Sequence, residues 1–240
     1  MSSVLEDPAT GSEISPAQRL KAVTTAVRVA ISWFGISRSL SPQQKAQAAD
    51  AFGADGDSIS AGKKLLDTAH PAYKAVTAVR GRIVALFRGM SLPYPEPGVR
   101  LIRQDDIQTF NVQMVTLKAD LAEAVENLQR HYAELKRAAS RRLGRLYNAG
   151  DYPDTLTDLF DVVWDFPSVE PPQYLQQLHP ALYQQECQRV SARFNEAIQL
   201  AEEAFVSELA KLVSHLTASR RCFETRPSRI CPSSLLIFGT

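Results

Sequence analysis

Residues 56–66, GDSISAGKKLL, hold the residue types from which phosphate and calcium loops are built. A phosphate loop needs glycines for close backbone approach, a lysine for charge and a hydroxyl for magnesium, in the pattern GxxxxGK[ST]. Here five residues separate Gly56 from Gly62, and Lys64 stands where the hydroxyl belongs. Asp55 and Asp57 add charge that repels a phosphate. A calcium loop starting at Asp55 fails as well, because Ser60 replaces the turn glycine and Leu66 the bidentate glutamate. What the stretch does offer is a helix entrance, since Asp57, Ser58 and Ser60 are capping residues and acids suit the positive end of a helix dipole. A helix is therefore expected over 59–89, broken at His70-Pro71 because proline disfavours helix at the residue before it.

Other chemistry-bearing types are scattered. His70, His131, His179 and His215 have no metal-ligand spacing among themselves or with Cys187, Cys222 and Cys231. His131 and Glu134 read as a surface pair one helical turn apart, and Cys187 as a buried thiol on an apolar stripe. There is no Gly-x-Ser-x-Gly elbow. No catalytic, metal-binding or cofactor-binding set emerges, and the expectation is a chain without a cofactor and without enzymatic activity. An enzyme site where residues 93–97 meet the sheet would need a concave pocket with convergent polar groups.

Two clusters point to interaction instead. Lys136, Arg137, Arg141, Arg142 and Arg145 place five cations in the last turns of a long helix. They read either as the usual complement to a helix C-terminus or as a patch for nucleic acid or an acidic partner, which Arg82, Arg88, Arg100 and Arg103 extend if the fold gathers them. Trp164, Phe166 and Tyr174, with Asp161 and Asp165, form an aromatic-acidic strip that serves core packing or, at a free strand edge, recognition.

The elements that must position these residues follow from periodicity. Ser15-Pro16 and Ser41-Pro42, each followed by glutamine at the third helical position, are capping boxes with proline at the first. Residues 26–34, AVRVAISWF, alternate as a strand, and 99–103 form a second after the proline-rich 93–97. Apolar residues from Ile107 to Leu146 recur every three or four positions, which predicts one helix of about 40 residues and roughly 60 Å. A second such stripe runs from Tyr183 to Leu216, and the two are expected to pair as an antiparallel hairpin. The insert between them holds a short helix after Pro153 and a strand, DVVWDF, that caps the hairpin tip or folds back onto the sheet.

The fold class expected is mainly α within α+β: a small β-sheet with packed helices plus a long antiparallel helical hairpin. Its divisions are a flexible leader at 1–14, a small α+β domain at 15–104, a hairpin at 105–217 with its insert at 147–180, and an irregular tail at 218–240. The tail lacks helical period, as though a shifted reading frame had replaced a native end. A net charge of +1 provides no global field toward nucleic acid or anionic membrane. Three cysteines make no disulfide framework, and no apolar run of about 18 residues exists to span a bilayer, so a reducing cytoplasm and no membrane are expected.

Three blocks, SAGKKLLDTAHPAYKAV at 60–76, LPYPEPGVRLIRQDD at 92–106 and LFDVVWDFPSVEPP at 159–172, together resemble an uncharacterised family of bacterial and phage-associated proteins. The likeness spans about residues 23–216. It implies a small sheet joined to long paired helices and no known activity, cofactor or catalytic residue. The expected function is a non-enzymatic interaction or scaffold protein, encoded on a mobile element, whose partner is another protein or a second copy. The alternative is association with nucleic acid through residues 136–145.

Overall fold

The computed structural model describes residues 14–224, with side chains to 217. It divides into two compact units, residues 1–197 and 198–240. In chain order the elements are α1 (Pro16–Val23), β1 (Thr24–Ser32), β2 (Ser37–Ser39), α2 (Pro42–Phe52), β3 (Gly62–Lys64) and α3 (Pro71–Gly89). They continue with β4 (Ser91–Pro93), β5 (Val99–Arg103), α4 (Ile107–Leu143), β6 (Asp161–Asp165), α5 (Tyr174–Leu178) and α6 (Pro180–Glu224). The structure is mainly helical with a small antiparallel sheet, an α+β arrangement.

Both capping boxes form. The Ser15 hydroxyl accepts from the Gln18 N–H (3.3 Å) while the Gln18 side chain accepts from the Ser15 N–H (3.0 Å), and Ser41 and Gln44 repeat this at the start of α2. Gly53 ends α2 at φ +62°, the left-handed conformation glycine adopts without a Cβ penalty.

Residues 59–66 do not form the expected helix. The Asp55 carboxylate accepts from the Asp57 N–H within a single 3-10 turn, and the chain then runs extended as β3, antiparallel to β2 with Ser37 opposite Lys64 and Ser39 opposite Gly62. Strand pairing wins because it buries what a capped helix would expose. Lys63 reaches Asp151 (2.6 Å) and the Leu146 carbonyl (2.8 Å) with its side chain 7% exposed, and Leu65 and Leu66 are fully buried. A Cβ at Gly62 would lie 3.2 Å from the Arg38 carbonyl oxygen, so glycine allows the close approach of the two strands.

The main sheet has the order β4-β5-β1-β6, all neighbours antiparallel. β1 is long enough to serve two partners: its first half pairs with β5, Thr24 opposite Arg103, and its second with β6, Ser32 opposite Asp161. Of the two positions open to the insert's strand, the sheet is the one it takes. The short helix expected after Pro153 is one 3-10 turn, Thr157–Leu159, and the Leu156 N–H just before it donates to the Gln129 side chain (2.9 Å).

α4 buries the stripe expected of it, from Phe110 through Met114, Leu121 and Leu128 to Ala139, each no more than 2% exposed. The helix lying along it is α3, in place of the second long helix. His70 stands beside His131 and Arg82 beside Asp120, so α3 and α4 run antiparallel, joined through the β4–β5 hairpin. Val76, Val79 and Ile83 fill the interface from α3. The sheet therefore draws on both sides of the expected boundary at 104/105.

The first unit takes α6 up to Ala197. There Val190, Phe194 and Ala197 are buried; Phe194 meets Tyr94 edge-on (5.6 Å between centroids) and Arg193 pairs with Glu96 (2.9 Å). α6 continues as helix to Glu224, past the expected end of the stripe at Leu216. The leader at 1–13 and the tail beyond 224 lie outside the described residues. Among the described residues no helix is long and apolar enough to cross a membrane.

Candidate interaction surface

Three members of the aromatic-acidic strip, Asp161, Trp164 and Asp165, are tied within the first unit, while Phe166 (36%) and Tyr174 (61%) stay exposed. Arg28 and Asp165, opposite each other on β1 and β6, form a two-pronged pair (Nε to Oδ1 3.0 Å, Nη2 to Oδ2 2.6 Å), which holds the Asp165 carboxyl below the usual carboxylate range. Lys118 of α4 does the same for Asp161 (2.9 Å) and also donates to the Val162 carbonyl (3.0 Å). The Trp164 indole N–H donates to the Asn111 side chain at 2.8 Å. These three residues bind β6 to β1 and α4. Acids at both ends of this edge strand also discourage addition of a further strand.

The basic cluster is partly committed. Arg142 donates to the Lys64 and Leu65 carbonyls (3.0 and 3.3 Å), fastening the end of β3 to the end of α4. Lys136 lies over the Tyr132 ring (4.8 Å) and Arg137 donates to the Ala133 carbonyl one turn back (3.4 Å). Arg141 and Arg145 are exposed, at the last turn of α4 and in the 3-10 turn after it. The arginines proposed to extend the patch are not gathered beside it as a free surface. Arg82 pairs with Asp120, Arg103 pairs with Asp105, and Arg100 donates to Ser91, its burial lowering its pKa.

The segment at 93–97 forms a shallow groove with Phe87, Arg88 and Arg100, and the Tyr94–Phe194 and Glu96–Arg193 contacts hold it. Gly56, Asp57 and Ser60 line another open groove against α2, with Lys45 opposite. Neither shows the convergent buried polar groups of a reaction site. One juxtaposition escaped the sequence reading: His70, at the N-cap of α3, lies with its ring 5.3 Å from that of His131, whose neighbour on α4 is Glu134. Sixty-one positions separate the two histidines, so only the antiparallel packing of α3 and α4 reveals the pair.

The second unit has a different character. The α6 stripe repeats every eleven residues: Cys187, Ile198 and Leu209; Val190, Ala201 and Leu212; Phe194, Phe205 and Leu216. An eleven-residue repeat gives about 3.67 residues per turn, close to a straight helix, so one face stays apolar along the whole length. In the first unit that face is covered. From Phe205 onward it is bare: Phe205 is 70% exposed, Leu209 50%, Leu212 61% and Leu216 70%, and exposed Val206 and Val213 widen it. Glu208 and Lys211 form an ion pair (2.7 Å) within the same stretch.

No protein-family model, no curated protein and no solved structure matches the chain.

Proposed function

We propose that this protein is a non-enzymatic interaction protein that assembles with a second copy of itself through the apolar face of α6 in its second unit. The observation that carries the reading is the run of six large apolar side chains, Phe205, Val206, Leu209, Leu212, Val213 and Leu216, each at least half exposed. A contiguous patch of this kind is costly to leave in water and marks an association surface. Because the exposed stretch is one continuous apolar stripe, the same patch on two copies can cover itself about a two-fold axis. The net charge of +1 opposes the approach of two copies only weakly.

The resemblance of the 60–76, 92–106 and 159–172 blocks to phage-associated proteins fits an accessory component of a mobile element. A reducing cytoplasm suits the unpaired Cys187. A nucleic-acid role for residues 136–145 has less behind it, since Lys136, Arg137 and Arg142 are engaged within the fold.

Sedimentation of the full chain across the micromolar range tests the assembly. The mass is expected to rise from one chain toward two with concentration, and the double variant Leu209→Glu/Leu212→Glu is expected to stay at one chain with its helical circular dichroism retained. A wild-type chain that remains monomeric throughout overturns the reading, as does a variant that still associates.

A further inference from the structure

We propose that His70, His131 and Glu134 form a binding site for a borderline divalent transition-metal ion of the zinc class. One ligand atom from each of the three lies within 4.8 Å of the other two. The imidazole rings stand 5.3 Å apart at a tilt of 56°, and Glu134 Oε2 is 3.7 Å from His131 Nδ1. Two imidazoles and a carboxylate are a zinc donor set, with the fourth tetrahedral position left to water. The nitrogen ligands exclude magnesium and calcium, which take oxygen.

The placement is dictated by the fold. His131 and Glu134, three residues apart on α4, share one helical face. His70 belongs to a different helix and is positioned by its capping role: Pro71 starts α3, and His70 Nδ1 accepts the Ala72 N–H at 3.3 Å. The α3–α4 core then brings the cap to the His131 face. Donor atoms around a tetrahedral zinc ion, with bonds of about 2.0–2.2 Å, lie roughly 3.3–3.6 Å apart, so the cluster must contract by about 1 Å. His131 and Glu134 have the freedom to do this, their side chains being 46% and 68% exposed.

Binding has a local cost. With Nδ1 accepting the cap bond, the neutral ring carries its proton on Nε2. Ligation through Nδ1 takes that lone pair from Ala72, and ligation through Nε2 moves the proton to Nδ1; the cap bond is given up either way. A metal–imidazole bond outweighs a cap, so the exchange is favourable. The bound ion then links the first turn of α3 to α4 and stabilises the folded chain by an amount that grows with the logarithm of the free ion concentration above the dissociation constant.

Calorimetric titration of the full-length protein with zinc chloride, and absorption spectroscopy with cobalt chloride, test this. One zinc ion per chain is expected to bind and raise the melting temperature, and the cobalt complex is expected to lack a thiolate-to-metal charge-transfer band. His70→Asn keeps a capping acceptor while removing the imidazole, and His131→Gln removes a ligand from an exposed position. Each is expected to weaken zinc binding at least about tenfold while leaving the melting temperature in EDTA near that of the wild type. Wild-type protein that takes up no zinc at millimolar concentration overturns the proposal. So does zinc affinity unchanged in both variants, or a cobalt spectrum dominated by thiolate, which places the ion on cysteine.

Discussion

α4 and α6 are written in the same way, with an apolar residue every three or four positions over helices of 37 and 45 residues, yet the structure uses them differently. On α4 every member of the stripe from Phe110 to Ala139 is 6% exposed or less. On α6 the stripe is buried at Val190, Phe194 and Ala197 and open from Phe205 to Leu216. An amphipathic pattern states that a face needs cover and says nothing of what supplies it. For α4 the chain supplies α3, tied by Arg82 to Asp120, and also β6 with the turn before it, tied by Trp164 to Asn111, Lys118 to Asp161 and Leu156 N–H to Gln129. For the second unit the described residues supply only pairings local to the helix.

The largest expected effect sets the two helices directly against each other. Phe110→Ala on α4 removes a fully buried ring and is expected to destabilise the chain by about 3–5 kcal/mol. Phe205→Ala on α6 removes a ring already in water and is expected to change the stability of the dilute monomer by less than about 0.5 kcal/mol. Urea unfolding at concentrations below self-association measures both. Comparable losses would break the contrast, because they would mean that Phe205 is covered within its own chain.

How much of this could be read from the amino-acid order depends on the range of the interaction. Ser15 and Ser41 announced their helices because a capping box is complete within four residues. The strand expected at 26–34 showed itself by alternation but forms two residues earlier, at Thr24–Ser32; the 161–165 strand did so too, and α4 by a stripe that no other element could produce. Residues 59–66 misled because their helix-capping chemistry is local, whereas what places them is not: Lys63 finds Asp151 eighty-eight positions away, and Leu65 accepts from Tyr152. The candidate surface was half legible. The apolar face of α6 is plain in the sequence, but its exposure is not, and Asp161, Trp164 and Asp165 looked available only until their partners Lys118, Asn111 and Arg28 came into view.

A smaller effect sharpens the picture of how tightly α4 is covered. Tyr132 lies in its stripe, 2% exposed, with a hydroxyl that has no hydrogen-bond partner among the described residues. Burial, helped by Tyr152, Tyr147 and Asp154, pushes its pKa from 10.0 up to about 12. Across that window the unfolded chain has released the phenol proton and the folded chain still holds it, so stability falls as pH rises, by on the order of 3 kcal/mol once both states have ionised. Tyr132→Phe is expected to remove this alkaline loss and to leave stability at pH 7 within about 0.5 kcal/mol, since no bond is broken. Denaturant curves at neutral and alkaline pH decide it; a large loss at pH 7 would show that the hydroxyl has a role in the core.

The smallest effect concerns the polar ties that α4 and β1 share with β6. Hydrogen bonds from Lys118 and Arg28 hold Asp161 and Asp165 below the usual carboxylate range. A depressed carboxyl contributes stability that is complete above its unfolded value and is lost as pH falls through its folded one. Both pairs are about half exposed, so the contribution is modest and salt weakens it. The double variant Asp161→Asn/Asp165→Asn is therefore expected to lose a little stability at neutral pH and to show a flatter decline below pH 4, followed by thermal melting at low salt. If the acid decline is as steep in the variant as in the wild type, the two carboxylates are not what fastens β6, and its hold on α4 must be credited to the Trp164–Asn111 bond and to the apolar contacts of Phe160 and Val162 in the shared core.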